Sequence, residues 1–178
     1  MLKILVFGSS GSGQTTLSKK LASHYSIKYI EVDKISFYDT IVPFTKIRPT
    51  DEKTDLLKKE IAYTDSYVID GAIVGFGDFL IQELDICIYM NLDLETRIKR
   101  IKKREKELYK ERIEKGGDMY LNHLAFLKWS EEYSTTPSKI RGLKAHTNWL
   151  KKIKCPIIEI YEDMDFDEVI NLIDNYIN

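Results

Sequence analysis

Eight residues near the start of the chain have the types and spacing needed to hold a phosphate. Gly8-Ser9-Ser10-Gly11-Ser12-Gly13-Gln14-Thr15 follows the phosphate-loop pattern of a glycine, four residues, a second glycine, then lysine and a hydroxyl residue. The exception is Gln14, which stands where the lysine belongs. Glycines let the backbone curl so that successive N–H groups point inward at an anion, and a following helix adds the partial positive charge of its N-terminus. On this reading Gly8, Ser9, Ser10, Gly11, Ser12, Gly13, Gln14, Thr15 and Thr16 form the nucleotide cradle. The Thr15 hydroxyl sits where a magnesium ligand belongs. A tight strand-to-helix turn with no ligand would look the same in sequence.

Gln14 changes what the cradle can do. Lysine supplies a mobile cation to the terminal phosphates, and glutamine offers only a neutral amide. A charge-assisted hydrogen bond contributes roughly 1.5–3 kcal/mol, so binding would weaken without vanishing. Catalysis should lose more, because removing one donor aimed at transition-state charge typically costs ~10²–10³ in rate. Two outcomes stay open: another cation compensates, or the chain binds nucleotide and barely turns it over.

Arg97, Arg100 and Arg104 are spaced three and four apart in Leu92–Arg104, on one face of an expected helix. Their fork geometry suits phosphate oxygens, although a solvated basic face has the same pattern. Carboxylates stand at the ends of two expected strands, Asp33 and Asp70, where an open parallel sheet places its ligands. Each could hold magnesium through water or accept a proton from an acceptor hydroxyl; Asp70 joins Thr15 in the expected metal site. Lys46 and Arg48, between Pro43 and Pro49, could clamp an anionic substrate or belong to a plain surface loop. His24, His123 and His146 lack metal-site spacing and read as structural or surface residues; Trp129 and Trp149 read as packing residues of a flap.

The elements that must position these groups alternate. Short apolar runs at Lys3–Phe7, Tyr29–Val32, Tyr67–Ile69, Ile86–Met90 and Ile157–Tyr161 read as strands covered on both faces. Helical periodicity lies between them, and Asp165 with Glu168 forms a capping box for a last helix, with Met164 and Val169 placed as a hydrophobic staple. Such alternation predicts an α/β fold with helix layers on both faces of a parallel sheet. From Thr96 to about Trp149 the chain reads as almost wholly helical and charged, broken at Gly116–Gly117 and Thr136–Pro137: a lid at about 96–150 within one domain of 1–178. With 27 basic and 28 acidic residues, the balance gives no pull toward nucleic acid or membrane. Two cysteines are too few for a disulfide framework, and no apolar run is long enough to span a bilayer. A cytoplasmic protein, monomeric or weakly dimeric, is expected.

The phosphate loop, the Val68-Ile69-Asp70-Gly71 strand end and the segment Asn91–Arg104 resemble the adenylate-kinase-like P-loop kinases, among them nucleotide, shikimate and gluconate kinases. The resemblance implies a three-layer α/β/α P-loop fold with a five-stranded parallel sheet, ATP and Mg2+ as cofactors, an unidentified small-molecule acceptor, and a closing helical lid whose Arg100 and Arg104 reach the phosphates. Pro43–Lys46 with Arg48-Pro49, Gly116–Tyr120, and His146 with Trp149-Leu150 are similar to an uncharacterised bacterial group of small P-loop proteins, called ATPases or adenylate-kinase-related, which also replace the loop lysine. Adenylate kinases follow their Asp-Gly with Phe-Pro-Arg, and here Ala72-Ile73-Val74 follows. That departure counts against a nucleoside monophosphate held in the usual way unless Lys46 or Arg48 substitutes. The resemblance therefore implies a phosphotransferase, with a nucleotide sensor of little turnover as the alternative.

Overall fold

The computed structural model describes residues 1–136 and 141–177. Five strands, β1 (Lys3–Gly8), β2 (Lys28–Glu31), β3 (Tyr67–Asp70), β4 (Ile86–Met90) and β5 (Ile157–Ile160), form one sheet in the order β2-β3-β1-β4-β5. Every pairing is parallel, with Val6 opposite both Asp70 and Ile88. Seven helices complete the described chain: α1 (Gln14–His24), α2 (Val32–Ser36), α3 (Thr50–Ile61), α4 (Leu94–Tyr109), α5 (Tyr120–Glu131), α6 (Leu143–Leu150) and α7 (Phe166–Ile177). All five expected strands are present, to within a residue or two at their ends.

The near-continuous apolar runs are explained by burial on both faces. Alternate residues of β1 and β4 point to opposite sides: Ile4, Val6, Ile86 and Ile88 join Leu17 and Leu21 of α1 and Val169, Ile170 and Ile173 of α7. Leu5, Phe7, Cys87 and Tyr89 join Leu57 of α3 and Trp149 and Leu150 of α6 on the other. Each fully buried Leu, Ile or Phe contributes about 1.5–3 kcal/mol, so the two layers fix strand register and therefore where strand ends project.

Local signals set the helix ends. The Asp93 side chain accepts the Thr96 N–H at 2.9 Å and starts α4. At α7, Glu168 reaches back to the Asp165 N–H at 3.0 Å, the arrangement expected of its capping box. Met164 remains partly exposed.

The helical region divides differently from the expected flap. α6 is not part of a lid: His146, Trp149 and Leu150 are buried, Trp149 packs edge-on against Phe7 of β1 at 5.5 Å, and its indole N–H donates to Asp78 at 2.7 Å. The amphipathic run at 143–150 covers the sheet, so the rest of the expected flap is α4, α5 and the turn between them. Gly116-Gly117 does interrupt the helices there; Pro137 of the second expected break lies outside the described residues. No helix among the described residues is long and apolar enough to cross a membrane.

Candidate active site

The phosphate loop leaves β1 and turns into α1. Gly11 has φ +85°, and a Cβ there would stand 2.5 Å from the Arg97 carbonyl oxygen of α4. Only glycine fits that left-handed backbone at so close an approach. Ser9 N–H donates to the Met90 carbonyl at 3.0 Å, tying the loop to the end of β4. Ser12 is buried and donates its hydroxyl to the Ser9 carbonyl at 2.7 Å.

Gln14 joins this brace. Its Nε2 donates to the same Ser9 carbonyl at 2.9 Å and approaches Ser12 Oγ at 3.4 Å. The side chain therefore turns back onto its own loop instead of projecting over the phosphate position. Thr15 and Thr16 expose their side chains at the first turn of α1.

Asp70 at the end of β3 is the buried carboxylate of the site. It accepts the Tyr29 hydroxyl at 2.8 Å. Burial pushes its carboxyl up from the ordinary range, while hydrogen bonds from Tyr29 and Thr15 pull it back. Burial and Asp70 also drive the Tyr29 phenol up, so Tyr29 stays a neutral donor. Thr15 and Asp70 thus meet, an oxygen-only donor pair. No cluster of three or more His, Cys, Asp or Glu side chains capable of holding a metal occurs among the described residues. One hydroxyl and one carboxylate fit Mg2+, which keeps most of its waters and takes the rest of its shell from phosphate oxygens.

The three arginines of α4 do not act alike. Arg97 was expected on a phosphate-facing side and is 2% exposed instead. Its Nε donates to the Leu92 carbonyl at 3.0 Å, and its Nη1 approaches the carbonyls of Ser10 and Ser130 at 3.4 Å each. The guanidinium lies 5.5 Å from the Tyr133 ring centre, and burial lowers its affinity for the proton. Arg97 is a strut that ties the phosphate loop to α4 and α5, because the first turn of α4 runs under Gly11. Arg100 is half-exposed, its Nη1 would stand 3.6 Å from a Cβ on Gly13, and it pairs with Asp163 through two contacts of 2.5 and 2.6 Å. Arg104 is exposed, and its charge reaches Asp33.

Asp33, in the first turn of α2, faces a cation that the sequence did not single out. Arg141 Nη2 lies 3.8 Å from Asp33 Oδ1. Burial pushes the Asp33 carboxyl up; Arg141 and Arg104 pull it down, and Glu31 pushes it up again. Lys53 of α3 also feels the Arg141 charge. Desolvation lowers its ammonium, and repulsion from Arg141 adds to that effect. Its Nζ sits 5.2 Å from the Phe76 ring.

Lys46 and Arg48 are placed elsewhere. The chain between residues 36 and 48 doubles back as a hairpin, with Tyr38 N–H donating to the Lys46 carbonyl and Arg48 N–H to the Ser36 carbonyl. Both cations stack on the Tyr38 ring, at 4.7 and 4.1 Å, and Arg48 pairs with Glu52 at 2.6 Å. The hairpin tip meets the segment between α4 and α5, where Arg112, itself paired with Asp118, donates to the Ile41 carbonyl at 2.9 Å. Lys46 and Arg48 thus brace the hairpin around Tyr38, and the cations that act on Asp33 are Arg141 and Arg104.

The histidines are structural in their contacts. His123 of α5 is held by Glu105 of α4. His146 is buried against Phe7 and Tyr89, and its Nδ1 meets the Tyr133 hydroxyl at 3.0 Å, which in turn meets Tyr89 at 2.7 Å. Burial lowers its pKa to about 4, so it stays neutral.

Comparison with known proteins agrees with this geometry. The sequence matches an AAA-domain family over residues 4–120. The uncharacterized protein YqaC of Bacillus subtilis is 26% identical over 98% of this chain and 97% of its own length. A cytidylate kinase of Pyrococcus horikoshii is 30% identical over 58% of each chain, so the match spans little more than half of that enzyme. Among solved structures, a shikimate kinase of Bacteroides thetaiotaomicron superimposes with a TM-score of 0.56 at 14% identity, over 98% of this chain and 95% of its own. That likeness is one of fold.

Proposed function

Because the chain belongs to the AAA-domain family, within the adenylate-kinase-like P-loop kinase superfamily, we propose that it binds ATP with magnesium on Gly8–Thr15 and transfers the terminal phosphoryl group to a small acceptor held beside Asp33, in the cytoplasm. The observation that carries this reading is the convergence of the loop, the Thr15–Asp70 pair and Arg100 at the carboxyl ends of β1, β3 and β4. That crevice lies where the strand order reverses, the place open α/β sheets put their ligands.

The roles follow from the contacts. Backbone N–H groups of the loop and the N-terminus of α1 hold the phosphates. Thr15 and Asp70 would hold magnesium, which when bound neutralises phosphate charge and orients the donor. Arg100 reaches the loop beside Gln14, its Nη1 3.6 Å from where a Cβ on Gly13 would stand, and its pair with Asp163 is half-exposed, of a kind that contributes about 0–1 kcal/mol. A phosphate can therefore displace Asp163 at little cost. Asp33 is placed to accept the acceptor's proton, and Arg97 holds the loop to the lid without touching a ligand.

A second reading is favoured by one contact. Gln14 Nε2 is committed to the Ser9 carbonyl and supplies no cation, which suits a nucleotide-binding sensor with little turnover. Calorimetric titration of ATP and ADP with magnesium, in wild type and Arg100→Ala, tests both. The kinase reading expects binding in the micromolar to millimolar range and a loss of about tenfold or more in the variant, the worth of one charge-assisted contact. Absence of binding at millimolar nucleotide would sink both readings. Tight binding with no hydrolysis or transfer, unaltered in Gln14→Lys, would favour the sensor.

A further inference from the structure

We infer that Tyr29 is a positioning residue for the magnesium site: its hydroxyl, reaching over from the edge strand β2, fixes the Asp70 carboxylate in the orientation that meets the metal beside Thr15. The assignment rests on the nucleotide-and-magnesium reading above and adds a residue to that site.

The strand register explains why a tyrosine stands there. Tyr29 lies opposite Val68, and Asp70 is two residues further along β3. Alternate residues of a strand share a face, so all three point to the α1 side of the sheet, where Tyr29 and Val68 pack with Leu17 and Leu21. Two residues of parallel strand rise about 6.6 Å. A tyrosine side chain bridges that distance, and a serine or threonine does not. The Tyr29 hydroxyl donates to Asp70 Oδ2 at 2.8 Å. Helix α1 closes the arrangement. Thr15 and Lys19 are four residues apart on one face of that helix. Thr15 hydrogen-bonds to Asp70, and Lys19 Nζ sits 5.7 Å from the Tyr29 ring centre.

The chemistry of Asp70 gives the contact its purpose. The residue is 6% exposed, and buried charges are paired with a cation or bound to a metal. No lysine or arginine pairs with Asp70 among the described residues; its side-chain partners are the hydroxyls of Tyr29 and Thr15. Hydroxyl donors orient a carboxylate without neutralising it, so Asp70 keeps its charge for a metal. The terminal torsion of an aspartate is soft and roughly two-fold, and an unrestrained carboxylate would turn about it. Tyr29 holds one oxygen and with it that torsion. Partners of a metal ligand placed in this way typically change metal affinity roughly 10–100-fold. A phenylalanine would cover the same apolar surface; only the hydroxyl serves the carboxylate.

The test is calorimetry of the non-hydrolysable ATP analogue AMP-PNP on the full chain, in saturating Mg2+ and again in EDTA. Wild type, Tyr29→Phe, Asp70→Asn and the double variant are compared. The ratio of the two affinities reads the metal's share of binding. Tyr29→Phe keeps the ring and removes the hydroxyl. It should shrink that ratio about tenfold or more and leave the affinity in EDTA at the wild-type value. Asp70→Asn should shrink the ratio at least as far, and the double variant should shrink it no further, because both changes act through one carboxylate. An unaltered ratio in Tyr29→Phe overturns the inference. So does a loss of equal size with and without metal, which would make Tyr29 a packing residue, or a further loss in the double variant. A wild-type ratio of one removes magnesium from the site and this inference with it, while nucleotide binding stands. Failure of AMP-PNP to bind at millimolar concentration sinks the nucleotide reading as a whole.

Discussion

The donor side and the acceptor side of the crevice are built in opposite ways. Around the phosphate loop the contacts are buried or part-buried and made to the main chain: Ser12 and Gln14 on the Ser9 carbonyl, Arg97 on Leu92, Ser10 and Ser130. Around Asp33 they are long-range charges on half-exposed side chains, the nearest at 3.8 Å. Buried polar groups are costly unless fully paired, so the loop has one geometry. A loose ion pair contributes little and exchanges partners freely, so the acceptor cluster can give up Arg141 to a ligand. On the proposed reading, rigidity sits where the nucleotide would bind, and adaptability where the acceptor would be recognised.

The largest effect should come from the strut. Arg97→Met keeps much of the side chain's volume but removes the donors of three carbonyls in the interior. Each buried group left unsatisfied costs about 1–3 kcal/mol, so the expected loss is roughly 3 kcal/mol or more by urea denaturation. A destabilisation under about 1 kcal/mol would mean the donor side is not braced as described. Gly11→Ala should come next. Its φ of +85° and the Arg97 carbonyl at 2.5 Å leave no room for a methyl group, and left-handed strain alone costs about 1–3 kcal/mol. Since the loop must shift, nucleotide affinity should fall with stability. Normal affinity in Gly11→Ala would break the contrast drawn between the two sides.

These two predictions concern features that differed greatly in how far the sequence revealed them. Gly11 was legible, because a positive-φ turn between strand and helix has a local signature. All five strands and the cap of α7 were legible for the same reason: period and end signals are written within a few residues. Arg97 was not. Its spacing with Arg100 and Arg104 is that of a solvated basic face, and only the passage of α4 beneath the loop buries the first arginine and exposes the last. Arg141 was missed because nothing near it in sequence points at Asp33; only the folded chain brings the turn before α6 to that carboxylate. Lys46 and Arg48 misled in the reverse sense. Their density of charge suggested a ligand, and Tyr38 with Glu52 answers it locally. α6 was read as part of the flap because helical periodicity alone does not show that it packs on the sheet.

A smaller effect would sharpen the comparison at its boundary. Asp163→Ala releases Arg100 from a half-exposed pair. If Arg100 serves the phosphates, nucleotide should bind slightly tighter, by at most the ~1 kcal/mol such a pair contributes. Weaker binding would instead make Asp163 part of the nucleotide site.

The smallest expected change lies in the Asp33 carboxyl itself. Burial raises its pKa, and Arg141 and Arg104 hold that rise in check. A carboxyl serves as base only above its pKa, so any transfer activity should fall as pH drops through the raised value. Removing Arg141 takes away an attraction for the charged form. In Arg141→Gln the carboxyl should therefore titrate at higher pH than in wild type, and the acidic limb of activity should move the same way. Carbon-13 NMR of labelled aspartate, assigned with Asp33→Asn, reads this without any acceptor. Because the groups are half-exposed, salt should shrink the difference, with a Debye length of about 8 Å at physiological ionic strength. A shift toward lower pH, or none at low salt, would mean that Arg141 and Asp33 are not electrostatically coupled in solution. The acceptor side would then be a set of independent surface charges, without the adaptable binding cluster that sets it apart from the braced loop.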